Sequence, residues 1–179
     1  MTSYAAFLRG IGPGDERKSN ESLRSIFNSL GFKNVRSFIS SGNILFETSE
    51  KDLNLLEEKI EKALHEKIGS RTMTIVKSKE QLKEFIERIP FGNLIHSKST
   101  YLTVTFIKNA QDKSDITVIE DEDPSITMFG FDKKLGAVNA AIDTTTANTP
   151  EFMTILQKKY GKEITTRTIN TIKRVEAKL

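Results

Sequence analysis

Tyr4-Ala5-Ala6-Phe7-Leu8-Arg9-Gly10-Ile11-Gly12-Pro13-Gly14 reads as a strand running straight into a glycine-rich loop, and the rest of the chain is placed relative to it. Tyr4, Ala6 and Leu8 fall on one face, Ala5 and Phe7 on the other. Successive side chains of a strand point to opposite faces, so two apolar faces predict a central strand. Gly10, Gly12, Pro13 and Gly14 stop it.

Working outward, Leu23, Ile26, Phe27 and Leu30 recur at helical spacing, with Ser19 or Asn20 as the N-cap and Gly31 at the position that favours left-handed backbone. Residues 32–39 and 44–48 read as strands around the turn Ser40-Ser41-Gly42-Asn43. Ser49-x-x-Asp52 opens a second helix carrying Leu53, Leu56, Ile60, Ala63, Leu64 and Ile68, closed by Gly69, and residues 71–77 make another strand. The order β-α-β-β-α-β is that of the ferredoxin-like fold. Two strands joined by a crossover helix run parallel, and a tight hairpin runs antiparallel. The loop after the first strand and the turn after the second therefore share one end of the sheet. This predicts that Arg9 and Gly10 meet Ser41, Gly42 and Asn43 there.

Ser78-x-x-Gln81 opens a third helix, so the domain boundary is placed just before it: an N-terminal ferredoxin-like domain over 1–78 and a C-terminal α+β domain over 79–179. In the second part, 101–107 reads as a strand, 110–119 as a short helix, and 126–131 with 135–142 as a hairpin around Asp132-Lys133-Lys134. Thr149-Pro150 starts a helix that stops at Gly161, and a last helix is expected from Thr165 or Thr166. The mixture allows a degenerate ferredoxin-like copy, although no residue-level repeat is visible. The expected fold class is α+β: two ferredoxin-like halves with mostly antiparallel sheets and a C-terminal helix.

Composition excludes several chemistries. With no cysteine among 179 residues, there is no disulfide, thiolate nucleophile or cysteine metal site. The two histidines, His65 and His96, lack the spacing of a zinc-helix motif. No apolar run is long enough to span a membrane, and no leader pattern opens the chain, so a cytoplasmic protein is expected. The net charge of +3 is too small to announce nucleic acid, but it is unevenly spread. Residues 109–125 carry a net −5 and residues 158–179 a net +5. Two solvated faces account for this, and so would a basic C-terminal helix that meets phosphate.

Three stretches, Leu8-Arg9-Gly10-Ile11, Ser41-Gly42-Asn43-Ile44 with Phe46, and Thr166-Arg167-x-x-Asn170-Thr171 with Lys173, carry a family likeness, joined by Pro90-Phe91. Together they make the chain resemble the domain-of-unknown-function family 1697, whose members read L-L-R-G-I-N-V-G-G, Q-S-G-N-V-V-F, N-P-F and T-A-R-N-W-N-T-V in that order. The resemblance implies a small cytosolic α+β protein of two ferredoxin-like halves and no established activity. Here Gly12-Pro13-Gly14 replaces Asn-Val-Gly-Gly, Ser40 replaces the glutamine, and Thr168-Ile169 replaces Asn-Trp. A ligand held by those polar groups would be bound differently in this chain, or not at all.

The sharpest chemical motif is Gly12-Pro13-Gly14-Asp15-Glu16-Arg17-Lys18-Ser19, a P-loop spacing in which Arg17 stands where the second glycine belongs. A side chain there obstructs the wrap around a phosphate, and the hairpins contradict a parallel sheet, so a nucleotide-hydrolysing loop is not expected. Two readings of the loop stay open: Gly10 and Gly12 only make the turn, with Arg17 and Lys18 solvated and Arg9 paired with a carboxylate, or the helix-start amides and glycines with Arg9, Arg17 and Lys18 nearby form a simpler anion site. Ser41-Gly42-Asn43 lacks the companions of a serine-enzyme motif and reads as a turn closed by the Asn43 side chain. Arg167 and Asn170 are expected on one face of the last helix, where Arg167 either forks onto a phosphate or carboxylate or serves as a structural bridge. The acids 120–123 lack the spacing of a calcium loop. The expectation is thus a binding protein for a phosphate-bearing small molecule or a nucleic acid backbone. Its lining would be Arg9, Gly10, Ser41, Gly42 and Asn43, with Arg167 and Asn170 as further candidates. No catalytic residue, metal or cofactor is called for. The rivals are an enzyme on a small phosphorylated or carboxylated substrate and a protein–protein adaptor using an open sheet edge.

Overall fold

The computed structural model of the chain describes residues 1–12, 14–39, 42–69, 71–110, 123–146 and 149–179. It divides into two units, Met1–Lys83 with Val175–Leu179, and Glu84–Arg174. In the first, β1 is Thr2–Leu8, α1 Asn20–Ser29, β2 Lys33–Ser37, β3 Asn43–Thr48, α2 Leu53–Ile68 and β4 Thr74–Ser78. α3 follows at Lys79–Glu87. Next come β5 Thr100–Ile107, β6 Ile126–Asp132, β7 Ala137–Asp143, α4 Thr149–Tyr160, β8 Ile164–Thr168 and α5 Ile169–Glu176.

The first sheet has the order β2-β3-β1-β4, all neighbours antiparallel. β1 is central, as its two apolar faces require. Tyr4, Ala6 and Leu8 join Ile44, Phe46 and Val76 against Leu23 and Phe27 of α1 and Leu56, Ile60 and Leu64 of α2. Three phenylalanine rings meet in this core: Phe32 and Phe46 stack at 4.5 Å, and Phe27 meets Phe46 edge-on at 5.6 Å. Ala5 and Phe7, on the other face, are fully buried as well. α1 starts where Ser19 accepts the Ser22 N–H, and α2 where Asp52 accepts the N–H groups of Asn54 and Leu55.

The second sheet repeats the arrangement with the order β6-β7-β5-β8, again antiparallel throughout. Numbered within each half, both sheets run 2-3-1-4, so both halves are ferredoxin-like. Ile107, Val138, Ala140, Ile142 and Ile164 pack with Phe152 and Leu156 of α4. The expected helix over 110–119 and most of the acidic run fall outside the described residues. One expectation is corrected. The last helix does not begin at Thr165 or Thr166, because Ile164–Thr168 is a strand paired with Thr103–Ile107. A run of β-branched residues, Ile164-Thr165-Thr166, favours a pleated strand over a helix. Arg167 is therefore a strand residue and does not share a helix face with Asn170.

Candidate functional site

The end of the first sheet where β1 stops gathers four segments. The Leu8 N–H donates to the Gly42 carbonyl at 2.8 Å, and Phe7 pairs with Asn43, so the loop after β1 and the β2–β3 turn lie side by side. The Arg9 N–H donates to the Met73 carbonyl at 2.9 Å, which brings in the start of β4 and places Arg71 at this end. The C-terminus of α2 completes the rim: an Arg17 Nη1 donates to the Ile68 carbonyl at 3.0 Å.

Backbone geometry at this rim is unusual. Gly42 has φ +69°, and a Cβ there would sit 3.0 Å from the Ile11 side chain and 3.1 Å from Leu8 Cβ. Only glycine meets both demands. Ile39, in the same turn, has φ +58°. A β-branched residue in the left-handed region is strained, and such strain persists where surrounding structure holds it. Gly10 has φ +73° and nothing within 4 Å of an added Cβ, so it lies open.

The basic side chains take distinct roles. Asp15 takes two hydrogen bonds from the Arg17 guanidinium, at 2.9 and 3.0 Å, and caps a 3-10 turn over Glu16–Lys18. These bonds hold the Asp15 carboxyl below the usual range and raise the Arg17 pKa. Arg17 thus clamps the loop to α2. Lys18 Nζ reaches the Gly10 carbonyl at 3.3 Å, over the loop itself. Arg9 is half-buried at the rim.

The expected lining residues sort as follows. Arg9, Gly10, Gly42 and Asn43 come together; Ser41 lies outside the described residues. Asn43 is fully buried and its Nδ2 donates to the Phe38 carbonyl at 3.0 Å, so it closes the turn as its sequence position suggests. Arg167, in the other unit, donates to Thr165 Oγ1 and the Thr166 carbonyl, both at 2.9 Å. Burial of its guanidinium lowers the pKa to about 10, which still leaves it charged at neutral pH. Asn170 is exposed in the first turn of α5. Sequence reasoning missed Arg71 because its place at the rim depends on β4 pairing antiparallel to β1. A cavity of about 370 Å³ lined by Phe32, Thr48, Leu56 and Lys59 lies at the opposite end of the same sheet.

No helix among the described residues is long and apolar enough to cross a membrane. The sequence profile of a family described as protein of unknown function, DUF1697, matches residues 1–134. No curated protein matches the chain. Among solved structures, the conserved bacterial protein SP0830 from Streptococcus pneumoniae is similar over 100% of this chain and 98% of its own, with TM-score 0.70 and 21% identity. At that identity the likeness bears on the fold alone.

Proposed function

Because the chain belongs to the DUF1697 family of proteins of unknown function, which lends it no activity, we propose from the site alone that it is a binding protein for a phosphate-bearing ligand, a small molecule or a nucleic acid backbone. The site is the rim at the end of β1. The observation that carries the reading is the Leu8–Gly42 hydrogen bond, which seats the glycine loop against the strained β2–β3 turn. Arg9, Lys18 and Arg71 then share one end of the sheet with the open backbone of Gly10. Successive amides around a left-handed residue form a concavity that favours anions, and a planar guanidinium adds a bidentate donor. Gly10 and Gly42 shape the concavity, Asn43 holds it, and Arg9 supplies the charge closest to it in the chain.

The test is titration of the full chain with inorganic phosphate and, separately, with a single-stranded oligonucleotide. Arg9→Ala is expected to weaken whichever interaction is seen by about tenfold, the order of one charge-assisted hydrogen-bond pair. A nucleic acid ligand loses affinity steeply between roughly 50 and 200 mM salt, and a small phosphorylated ligand does so far less. Binding that survives Arg9→Ala unchanged contradicts the assignment.

A further inference from the structure

A second site, independent of the rim, lies in the unit Glu84–Arg174. Among the described residues, Asn139 Oδ1 is the one buried side-chain polar atom with no hydrogen-bond partner. Asn139 is 2% exposed, on β7, inside the second sheet. Leaving such an acceptor unpaired forfeits its hydration with nothing in return, so a native orphan requires a reason.

Three further observations surround it. First, Asn139 lines a cavity of about 400 Å³ with Arg88, Pro90, Phe129, Asp132 and Lys133. That volume suits a small organic ligand. Second, the β6–β7 ladder slips at this point. Met128 pairs with Ala140 and Phe131 with Val138, so Phe129 and Gly130 together oppose Asn139. Gly130 has φ +95°, the mark of a bulge that bends an edge strand and re-aims a side chain. Third, the walls are fixed. The Phe129 ring rests on Phe91 at 5.3 Å, nearly perpendicular. Arg88 forks onto Asp132, whose Oδ1 also accepts the Leu135 N–H at 2.8 Å. The guanidinium plane is thereby held, although its side chain is 41% exposed.

We propose that this cavity at the β6 edge binds a flat heteroaromatic ligand that donates an N–H to Asn139 Oδ1, the chemistry of a nucleobase. The held guanidinium and the pinned phenyl ring offer flat surfaces for the ring to stack on. Asparagine is suited to a base edge because its amide is planar and carries an acceptor and a donor side by side. The ligand supplies the missing partner.

The experiment uses the full chain, with adenosine as the probe and N6,N6-dimethyladenosine as its counterpart, which keeps the ring and loses both N–H donors of the base. Neither carries phosphate, so the rim is not read. Adenosine is expected to shift the amide resonances of Phe129, Gly130 and the Asn139 side chain saturably, and the dimethyl compound to bind about tenfold more weakly. Asn139→Leu is expected to abolish adenosine binding and to raise Tm, because an apolar side chain removes the orphaned acceptor. An Asn139 that serves structure alone gives the opposite sign, a fall in Tm. No saturable shift with adenosine up to about 10 mM, equal affinity for the two nucleosides, or a lower Tm for Asn139→Leu overturns the proposal.

Discussion

At the scale of single residues, the rim rests on one contact that only glycine permits. Gly42 and Gly10 have almost the same left-handed backbone, φ +69° and +73°, but different surroundings. Alanine at either position pays left-handed strain of about 1–2 kcal/mol. At Gly42 the new methyl also meets Ile11 and Leu8 at 3.0–3.1 Å, and overpacking adds about 1–3 kcal/mol. Denaturant unfolding should therefore show Gly42→Ala the more destabilised by at least about 1 kcal/mol. Equal losses would mean that the turn is not seated on the loop. The sequence showed Gly42 as a turn glycine and Asn43 as its closure. It did not show Ile39 in the left-handed region, since nothing about an isoleucine announces strain imposed by its neighbours. Asn139 was equally silent: an asparagine amid apolar strand residues signals nothing until its partners can be searched in space.

At the scale of elements, the outer edge of β4 is closed by side chains. The N–H groups of Thr74, Val76 and Ser78 donate to Glu61, Glu57 and Gln81, at 2.7, 2.8 and 3.0 Å. Glu57 and Glu61 lie four apart on α2 and so share a face. Glu57 is 6% exposed, an unusual place for a carboxylate, and its hydrogen bond to a fully buried Val76 accounts for it. An edge whose donors are already engaged is a poor template for another strand, which weighs against an adaptor working by strand addition at β4. Glu57→Ala strands the Val76 N–H and should cost about 1–3 kcal/mol in denaturant unfolding. Glu57→Gln keeps an acceptor and should cost less. If the glutamine variant is as unstable as the alanine one, hydrogen bonding to the edge is not what Glu57 supplies. The helix-like reading of Arg167 failed at this scale for a related reason. The polar run from Thr165 to Thr168 has no apolar period, and only pairing with β5 makes it a strand.

At the scale of the whole molecule, the repeated 2-3-1-4 strand order shows how far topology can be read from a list of elements. In the first half the hydrophobic periods, the capping residues and the turn glycines all agree, and the predicted neighbours follow from handing one strand to the next. The second half is less openly legible, because its last strand is mostly threonine. The rim follows from the same topology, since a crossover followed by a hairpin fixes which loops share an end. The second cavity does not, since a bulge is a mismatch between two strands and belongs to neither sequence alone.

We propose that the rim shared by the β1 loop and the β2–β3 turn receives phosphate. Titration of the isotopically labelled full chain with inorganic phosphate, followed by amide NMR, reads the rim residue by residue. Saturable shifts are expected at Arg9, Gly10, Lys18 and Gly42, with a midpoint about tenfold higher in Arg9→Ala. Shifts confined to other parts of the chain, or none that saturate, would contradict it.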